Sequence, residues 1–306
     1  MVLPLPAAPE LRATFVIDGA LDLRLILGPL WRGSGDPTMR FEPSGTVWRA
    51  LHTPAGPATL RLSAGNGTVL AAEAWGAGAT DALALVPDLV GLTDQPECLQ
   101  PRDPIVAGLV HRFPGLRLTR TNRLFDALLP AILEQKVTNT EAWRGYRGVV
   151  HTVSQPAPGP MRLWLPPRAA DVAALPYFAL HGFGVERRRA ELVRRVAVMA
   201  ERLEAAMPAE AAARLLAVPG IGPWTVAEVT RLTYGDPDAV SVGDYHLPSL
   251  VAWIFAGERR GDDARMLELL EPYRGQRGRV VRLLEVSGRR PPRRGPRLAP
   301  RRFEDM

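Results

Sequence analysis

The sequence predicts an α+β protein in which a small antiparallel-sheet N-terminal domain is followed by an all-α domain. Period-two hydrophobic alternation is confined to the first quarter of the chain, whereas helical spacing dominates from Pro104 onward. Between them Gly91 to Pro104 (GLTDQPECLQPRDP) loses periodicity and gathers prolines, as interdomain segments do. A chain of 306 residues accommodates two or three domains of roughly 100 to 200 residues each. The expected boundaries are 1–95 for the α+β domain, 96–104 for a linker, 105–288 for the helical domain and 289–306 for a disordered Arg/Pro-rich tail.

In the first domain, Leu21, Leu23, Leu25 and Leu27 occupy alternate positions of the run Ala13 to Leu27, which reads as a strand. Runs at Thr46 to Thr53, Ala58 to Ser63 and Thr68 to Ala74 read as further strands, parted by PAGP and SAGNG, compositions that favour turns. A helix over Ala79 to Val90 is expected to back the sheet. The polar loop Gly33 to Arg40 (GSGDPTMR) reads as a surface turn, with a ligand contact as the alternative.

Beyond the linker, Leu124, Leu128, Ala131, Ile132 and Gln135 recur at helical spacing, which sets Gln135 beside the apolar face of one helix. The amphipathic segment TEAWRGYRGVVHTV follows, then a Pro/Gly break at QPAPGPMRLWLPPR and a short helix near Asp171 to Leu175. After the turn HGFGV, one helix is expected over Glu186 to Met207, burying Val193, Val196, Met199 and Leu203. Arg187, Arg188, Arg189, Arg194 and Arg195 lie near its start, first as solvated and structural residues and second as phosphate-steering ones. The end, Gly288 to Met306, carries seven arginines and has little to bury, so disorder is expected there.

Composition narrows the function. At 46% hydrophobic and 23% charged residues, neither wholesale disorder nor a fibrous fold is indicated. No apolar run approaches the ~20 residues of a membrane-spanning helix, and MVLPLPAAPE lacks the features of a secretion signal. A cytoplasmic, monomeric protein without a membrane partner is therefore expected. The single cysteine, Cys98, excludes an internal disulfide, a cysteine-ligated zinc and a four-thiolate iron–sulfur cluster. His52, His111, His151, His181 and His246 show no metal-ligand spacing, and no cofactor is expected. The net charge of +6 and pI near 10.2 rest almost wholly on arginine, Lys136 being the only lysine, and favour a polyanionic partner.

The chemistry concentrates in Val218 to Asp244 (VPGIGPWTVAEVTRLTYGDPDAVSVGD). A helix over Glu210 to Leu216 is interrupted by Val218-Pro219-Gly220-Ile221-Gly222, whose two glycines permit positive φ and close backbone approach. Pro223 suits the first position of the next helix, where its missing N–H costs nothing. Amides around Gly220, Gly222, Trp224 and Thr225 then point out of a helix N-terminus, a geometry that holds an anion, with the Thr225 hydroxyl as an added donor. Asp244 follows in VGD, either capping the helix begun near Tyr245 or doing chemistry, and the two roles are compatible. Asp236 and Asp238 sit in a GDPDA turn and read as structural.

These motifs, with AILEQKVT (Ala131 to Thr138) and VGDYHL (Val242 to Leu247), resemble the helix-hairpin-helix base-excision DNA glycosylases, and within them the 3-methyladenine DNA glycosylase II type. The resemblance covers roughly Arg102 to Val286. It implies double-stranded DNA carrying a damaged base as partner, with Pro219, Gly220, Gly222, Trp224 and Thr225 on the backbone and Asp244 as the essential carboxylate. A carboxylate beside the sugar stabilises positive charge that develops as an N-glycosidic bond breaks, and it aligns or deprotonates the attacking water.

Bifunctional members carry a lysine where this chain has Trp224, so the resemblance implies a hydrolytic, monofunctional enzyme acting on an alkylated purine such as 3-methyladenine. Trp224 reads either as an aromatic face for a cationic base or as a core residue. Gln135 or Lys136 would fill the gap left by an extruded base. Glu228 stands where those relatives have a tyrosine, and no tryptophan near Leu284 to Ser287 completes an aromatic cage. The base pocket is thus expected to involve Trp224 and Glu228 and to be more polar, with a deaminated purine as the alternative lesion and a non-catalytic DNA-binding protein as the alternative class. The resemblance further implies a monovalent cation held by the carbonyls of Leu216, Val218 and Ile221. Arginines in Tyr273 to Arg279 read equally as backbone contacts or as ordinary surface.

Overall fold

The computed structural model describes residues 8–65 and 68–292. Strands β1 (Leu11–Val16), β2 (Met39–Phe41), β3 (Val47–Thr53), β4 (Gly56–Ala64) and β5 (Val69–Trp75) form one antiparallel sheet in the order β1-β5-β4-β3-β2. Leu60 faces Ala74 and Leu62 faces Ala72 across β4 and β5, and this register turns all four to the same buried side. Helices α1 (Leu23–Leu27), α2 (Ala79–Ala84) and α3 (Val86–Leu89) cover that side. Alternation sends Trp48, Ala50 and Trp75 to the opposite face, where Leu163 and Leu165 of the helical part close over them. The class is α+β, as the sequence predicts.

Two expectations for this part are corrected. The run expected to continue as a strand through Leu27 ends at Val16 and re-forms as α1. Asp22 caps α1 by accepting Arg24 N–H at 2.9 Å and Leu25 N–H at 3.0 Å, and Leu23, Ile26 and Leu27 are buried at helical spacing. The loop Gly33 to Arg40 is not a surface turn, because Arg32, Asp36 and Thr38 are buried. The Asp36 carboxylate accepts Arg32 N–H at 2.7 Å and Thr38 N–H at 2.8 Å, and Thr38 Oγ1 meets Tyr146 Oη at 3.4 Å. A side chain at Gly33 would strike Trp143, so the loop is pressed against the helical part.

The helical part contains α4 (Pro104–Arg112), α5 (Leu124–Leu133), α6 (Asn139–Val153), α7 (Ala169–Ala174), α8 (Arg187–Val198), α9 (Ala200–Glu204), α10 (Pro208–Leu216), α11 (Pro223–Thr233), α12 (Leu247–Ala256), α13 (Asp263–Leu270) and α14 (Arg277–Val286). One core gathers around α5, every residue of which except Asp126 is buried. A second joins α4 to α12, α13 and α14. The helix expected over Glu186 to Met207 is broken at Met199. The turn it makes brings Glu204 Oε1 within 3.1 Å of Phe125 N, which supplies α5 with an acceptor at its N-terminal end.

The segment Gly91 to Pro104 is anchored ahead of the expected linker. Asp94 accepts both terminal nitrogens of Arg279 in α14 at 2.6 and 2.8 Å, and the Arg279 side chain is only 3% exposed. Cys98 is exposed. Among the described residues no helix is long and apolar enough to cross a membrane. Of the Arg/Pro-rich tail, residues 293–306 lie outside the described residues, as do Asn66 and Gly67 of the SAGNG turn.

Candidate active site and nucleic-acid interface

The hairpin joins α10 to α11 through two tight bonds, Val218 N–H to the Leu215 carbonyl and Ile221 N–H to the Val218 carbonyl, each 3.0 Å. Gly220 has φ of 101°, and a Cβ there would lie 3.0 Å from Leu192 Cδ2 in α8. Its positive φ favours glycine, and a Cβ would also crowd the Leu192 methyl. Gly222 differs from expectation: its φ is −112° at the N-cap of α11, a value open to any residue, and a Cβ would meet nothing within 4 Å. Its effect is to leave the approach to the helix end unobstructed. Pro223 occupies the first turn as expected, and the amides of that turn lack intrahelical acceptors.

Gln135 braces this hairpin. Its Nε2 donates to the Gly220 carbonyl at 3.2 Å and to Thr225 Oγ1 at 2.9 Å. Thr225 is 2% exposed, so its hydroxyl faces Gln135 and not an anion at the helix end as expected. Arg195 Nη1 donates to the Pro219 carbonyl at 2.8 Å, and Arg189 Nη1 to the Leu133 carbonyl at 2.7 Å. The structural reading of these two α8 arginines therefore holds. Lys136, next to Gln135, is exposed and has φ of 55°, a left-handed backbone uncommon outside glycine. Of the two candidates for gap filling, Gln135 is tied down and Lys136 projects.

Asp244 receives three donors. Its Oδ1 accepts His246 N–H at 2.7 Å and Leu247 N–H at 2.8 Å at the start of α12, and its Oδ2 accepts the Trp224 indole N–H at 3.0 Å. The capping geometry is present, and the N-terminal end of α12 favours the negative charge. Neither sequence reading of Trp224 anticipated its bond to Asp244, which orients the carboxylate from the first turn of α11.

Beyond Trp224 lies a polar cleft. Glu228 Oε1 accepts the Ser241 hydroxyl at 2.6 Å, and Oε2 accepts Arg231 Nε at 3.1 Å and a second, shorter bond from Nη2. Ser241 also accepts the Asp244 N–H through its carbonyl at 3.1 Å, so one residue touches both carboxylate-bearing segments. Burial opposes the charge on Arg231, but Glu228, Glu285 and Glu134 outweigh it and raise its pKa. Burial pushes the Glu134 carboxyl above its ordinary range, partly offset by Arg32, whose Nε lies 3.6 Å away. The spacing of Glu228 and Arg231 at i and i+3 was a readable signal; Ser241 and Arg32 had none.

Asp238 accepts the Gly275 N–H at 2.8 Å and the Arg277 N–H at 3.0 Å, while Asp236 accepts the Asp238 N–H at 2.9 Å, so both turn aspartates are structural. Arg277 and Arg279 pair with Asp238 and Asp94 within the protein, whereas Arg274 pairs with Glu271 on its exposed surface. Leu216 closes α10, and the Val218 carbonyl accepts the Ile221 N–H within the turn that follows. Among the described residues no His, Cys, Asp or Glu cluster could hold a metal ion.

No family model matches the chain, and no curated protein sequence matches it. Its fold is nevertheless shared with solved structures. The 3-methyladenine DNA-glycosylase from Archaeoglobus fulgidus superposes with a TM-score of 0.77 at 17% identity, covering 89% of this chain and 97% of that one. The apo form of the 8-oxoguanine glycosylase/lyase from Clostridium acetobutylicum gives 0.71 at 11% identity, covering 93% and 99%. The same glycosylase/lyase in complex with double-stranded DNA containing cytosine opposite 8-oxoguanine also gives 0.71 at 11% identity, covering 93% and 97%. The chain thus has the fold of the helix-hairpin-helix DNA glycosylases.

Proposed function

We propose that this chain is a monofunctional DNA glycosylase of base-excision repair, which extrudes a damaged purine from duplex DNA and hydrolyses its N-glycosidic bond. The observation that carries this reading is the clamping of Asp244 between the Trp224 indole and the first amides of α12, close to an open helix end. As the bond between base and sugar lengthens, the carboxylate offsets the positive charge on the deoxyribose and takes a proton from the incoming water. Base removal is hydrolytic because Trp224 stands where a lysine would attack the sugar.

The open face at Gly222 and the first amides of α11 hold a backbone phosphate of the DNA, and exposed Lys136 contacts a second phosphate beside the gap left by the base. Carbonyls of Leu216, Val218 and Ile221 would hold a monovalent cation, as the sequence resemblance implies, with the Leu216 oxygen carrying the partial negative charge of the α10 C-terminus. Such an ion would offset the repulsion between those oxygens and a nearby phosphate.

An alkylated purine such as 3-methyladenine is supported as the lesion by the sequence resemblance and by the name of the Archaeoglobus protein. The polar partners of Glu228 favour a second reading, a deaminated purine. The test is abasic-site formation on duplexes bearing single modified bases, compared between the wild type and Asp244→Asn. Loss of product in the variant is expected; product formed at the wild-type rate would remove Asp244 from the chemistry.

A further inference from the structure

The cleft beyond Trp224 has walls from three directions: Ile26 and Pro29 of the N-terminal part, Glu228 and Arg231 of α11, and Arg282 and Glu285 of α14. No aromatic side chain lines it among the described residues. Its free volume of about 30 Å³ admits a water and not a purine, so a base enters by displacing side chains at the mouth. A preformed aromatic sandwich, the arrangement that suits a cationic base through its ring faces, is not what this chain offers.

The charges of the lining balance. Arg117, Arg231 and Arg282 face Glu228, Asp236 and Glu285. Glu228 is already engaged by the Ser241 hydroxyl and Arg231, and Arg282 donates to Glu285 at 3.2 Å and to the Leu25 carbonyl at 2.9 Å. A cationic base gains no net attraction from such a surface and meets three guanidinium groups. A neutral base with N–H and C=O on its edge finds a carboxylate oxygen to accept from the first and N–H donors for the second.

We infer, given the glycosylase reading above, that the base received here is a neutral purine bearing a carbonyl group, deaminated or oxidised, with Glu228 accepting its N–H edge and Arg231 or Arg282 donating to its carbonyl oxygen. The leaving-group chemistry points the same way. When the bond between N9 and C1′ breaks, its electron pair goes to the purine, water oxygen bonds to C1′, and the proton released by that water is taken up by Asp244 and returned to the departing base. An alkylated cationic base leaves neutral and needs no help, whereas a neutral base leaves with negative charge, which a half-buried guanidinium stabilises. Ser241 couples the two centres, since its backbone carbonyl holds Asp244 and its hydroxyl holds Glu228.

The experiment measures single-turnover excision by the full chain on duplexes containing hypoxanthine, 8-oxoguanine or 7-methylguanine, scored as alkali-labile abasic sites. The expected result is that at least one of the two neutral lesions is removed at least about tenfold faster than cationic 7-methylguanine. Glu228→Gln, which keeps the shape and the bond from Ser241, should cut that rate at least about tenfold while leaving the melting curve cooperative; Ser241→Ala should act in the same direction on a variant that leaves Arg231 paired. Preferential removal of 7-methylguanine would overturn the inference and leave the glycosylase reading intact. No product on any duplex would overturn that reading and the inference with it. An unchanged lesion preference in a folded Glu228→Gln would overturn the role given to Glu228.

Discussion

The Trp224 indole nitrogen lies 3.0 Å from Asp244 Oδ2, on the opposite side of the carboxylate from the two amides of α12. The first turn of α11 thus fixes the orientation of the Asp244 carboxylate. Trp224→Phe keeps an aromatic ring at this position, removes the donor and trims the indole to a phenyl group. Single-turnover excision should fall by about tenfold to a hundredfold, since a hydrogen bond to a charged group is worth about 1.5–3 kcal/mol. Affinity for duplex DNA should stay at the wild-type level; an unaltered excision rate would show that the indole bond does not orient the carboxylate.

The two hairpin glycines should separate under substitution. Gly220→Ala places a Cβ against Leu192 at positive φ and should cost about 1–2 kcal/mol in urea unfolding. Gly222→Ala has ordinary φ and open space, so its stability should match the wild type while duplex binding, read by fluorescence anisotropy, weakens. Equal destabilisation by both changes would contradict this division.

Gln135 and Lys136 are neighbours with opposite expectations. Gln135→Ala unpins the hairpin from the turn after α5 and should lower stability by about 1 kcal/mol. Lys136→Gly relieves the left-handed backbone, so stability should rise or hold, while the slope of log affinity against log salt should shrink by about 0.9 for one lost phosphate contact. A salt slope identical to the wild type would place Lys136 away from the DNA.

Acid sensitivity should report on Asp238. Burial raises its pKa, but the bonds from Arg277 and Gly275 outweigh burial and hold it below its ordinary value. A depressed folded pKa contributes stability above the unfolded pKa, near 3.8, and that contribution disappears as pH falls through the folded value. Asp238→Asn should therefore melt below the wild type at neutral pH, and the gap should close in acid. A gap that is constant from neutral pH down to full acid would rule out this linkage.

The sequence announced the hairpin because Gly and Pro have few other reasons to alternate ahead of a helix, and Gly220 justifies that reading with its φ of 101°. Asp244 was visible for the same reason, as a capping residue type just ahead of an apolar helix. The bond between Trp224 and Asp244 was not visible, because residues twenty apart meet only after α11 has turned the chain. Leu21 to Leu27 illustrates a different limit: the spacing fits a strand, and only the cap from Asp22 decides for a helix. The loop at Asp36 looks polar and is nevertheless buried, because its polar atoms are bonded to one another before the helical part covers them.

Among 306 residues, Lys136 and the terminal α-amino group are the only primary amines. Amine-directed chemistry therefore reaches a single side chain, and that side chain stands at the exposed tip beside the braced hairpin. Reductive methylation with labelled formaldehyde would install one side-chain reporter without any engineered residue. Its resonance would follow the tip as the protein travels from intact duplex to lesion.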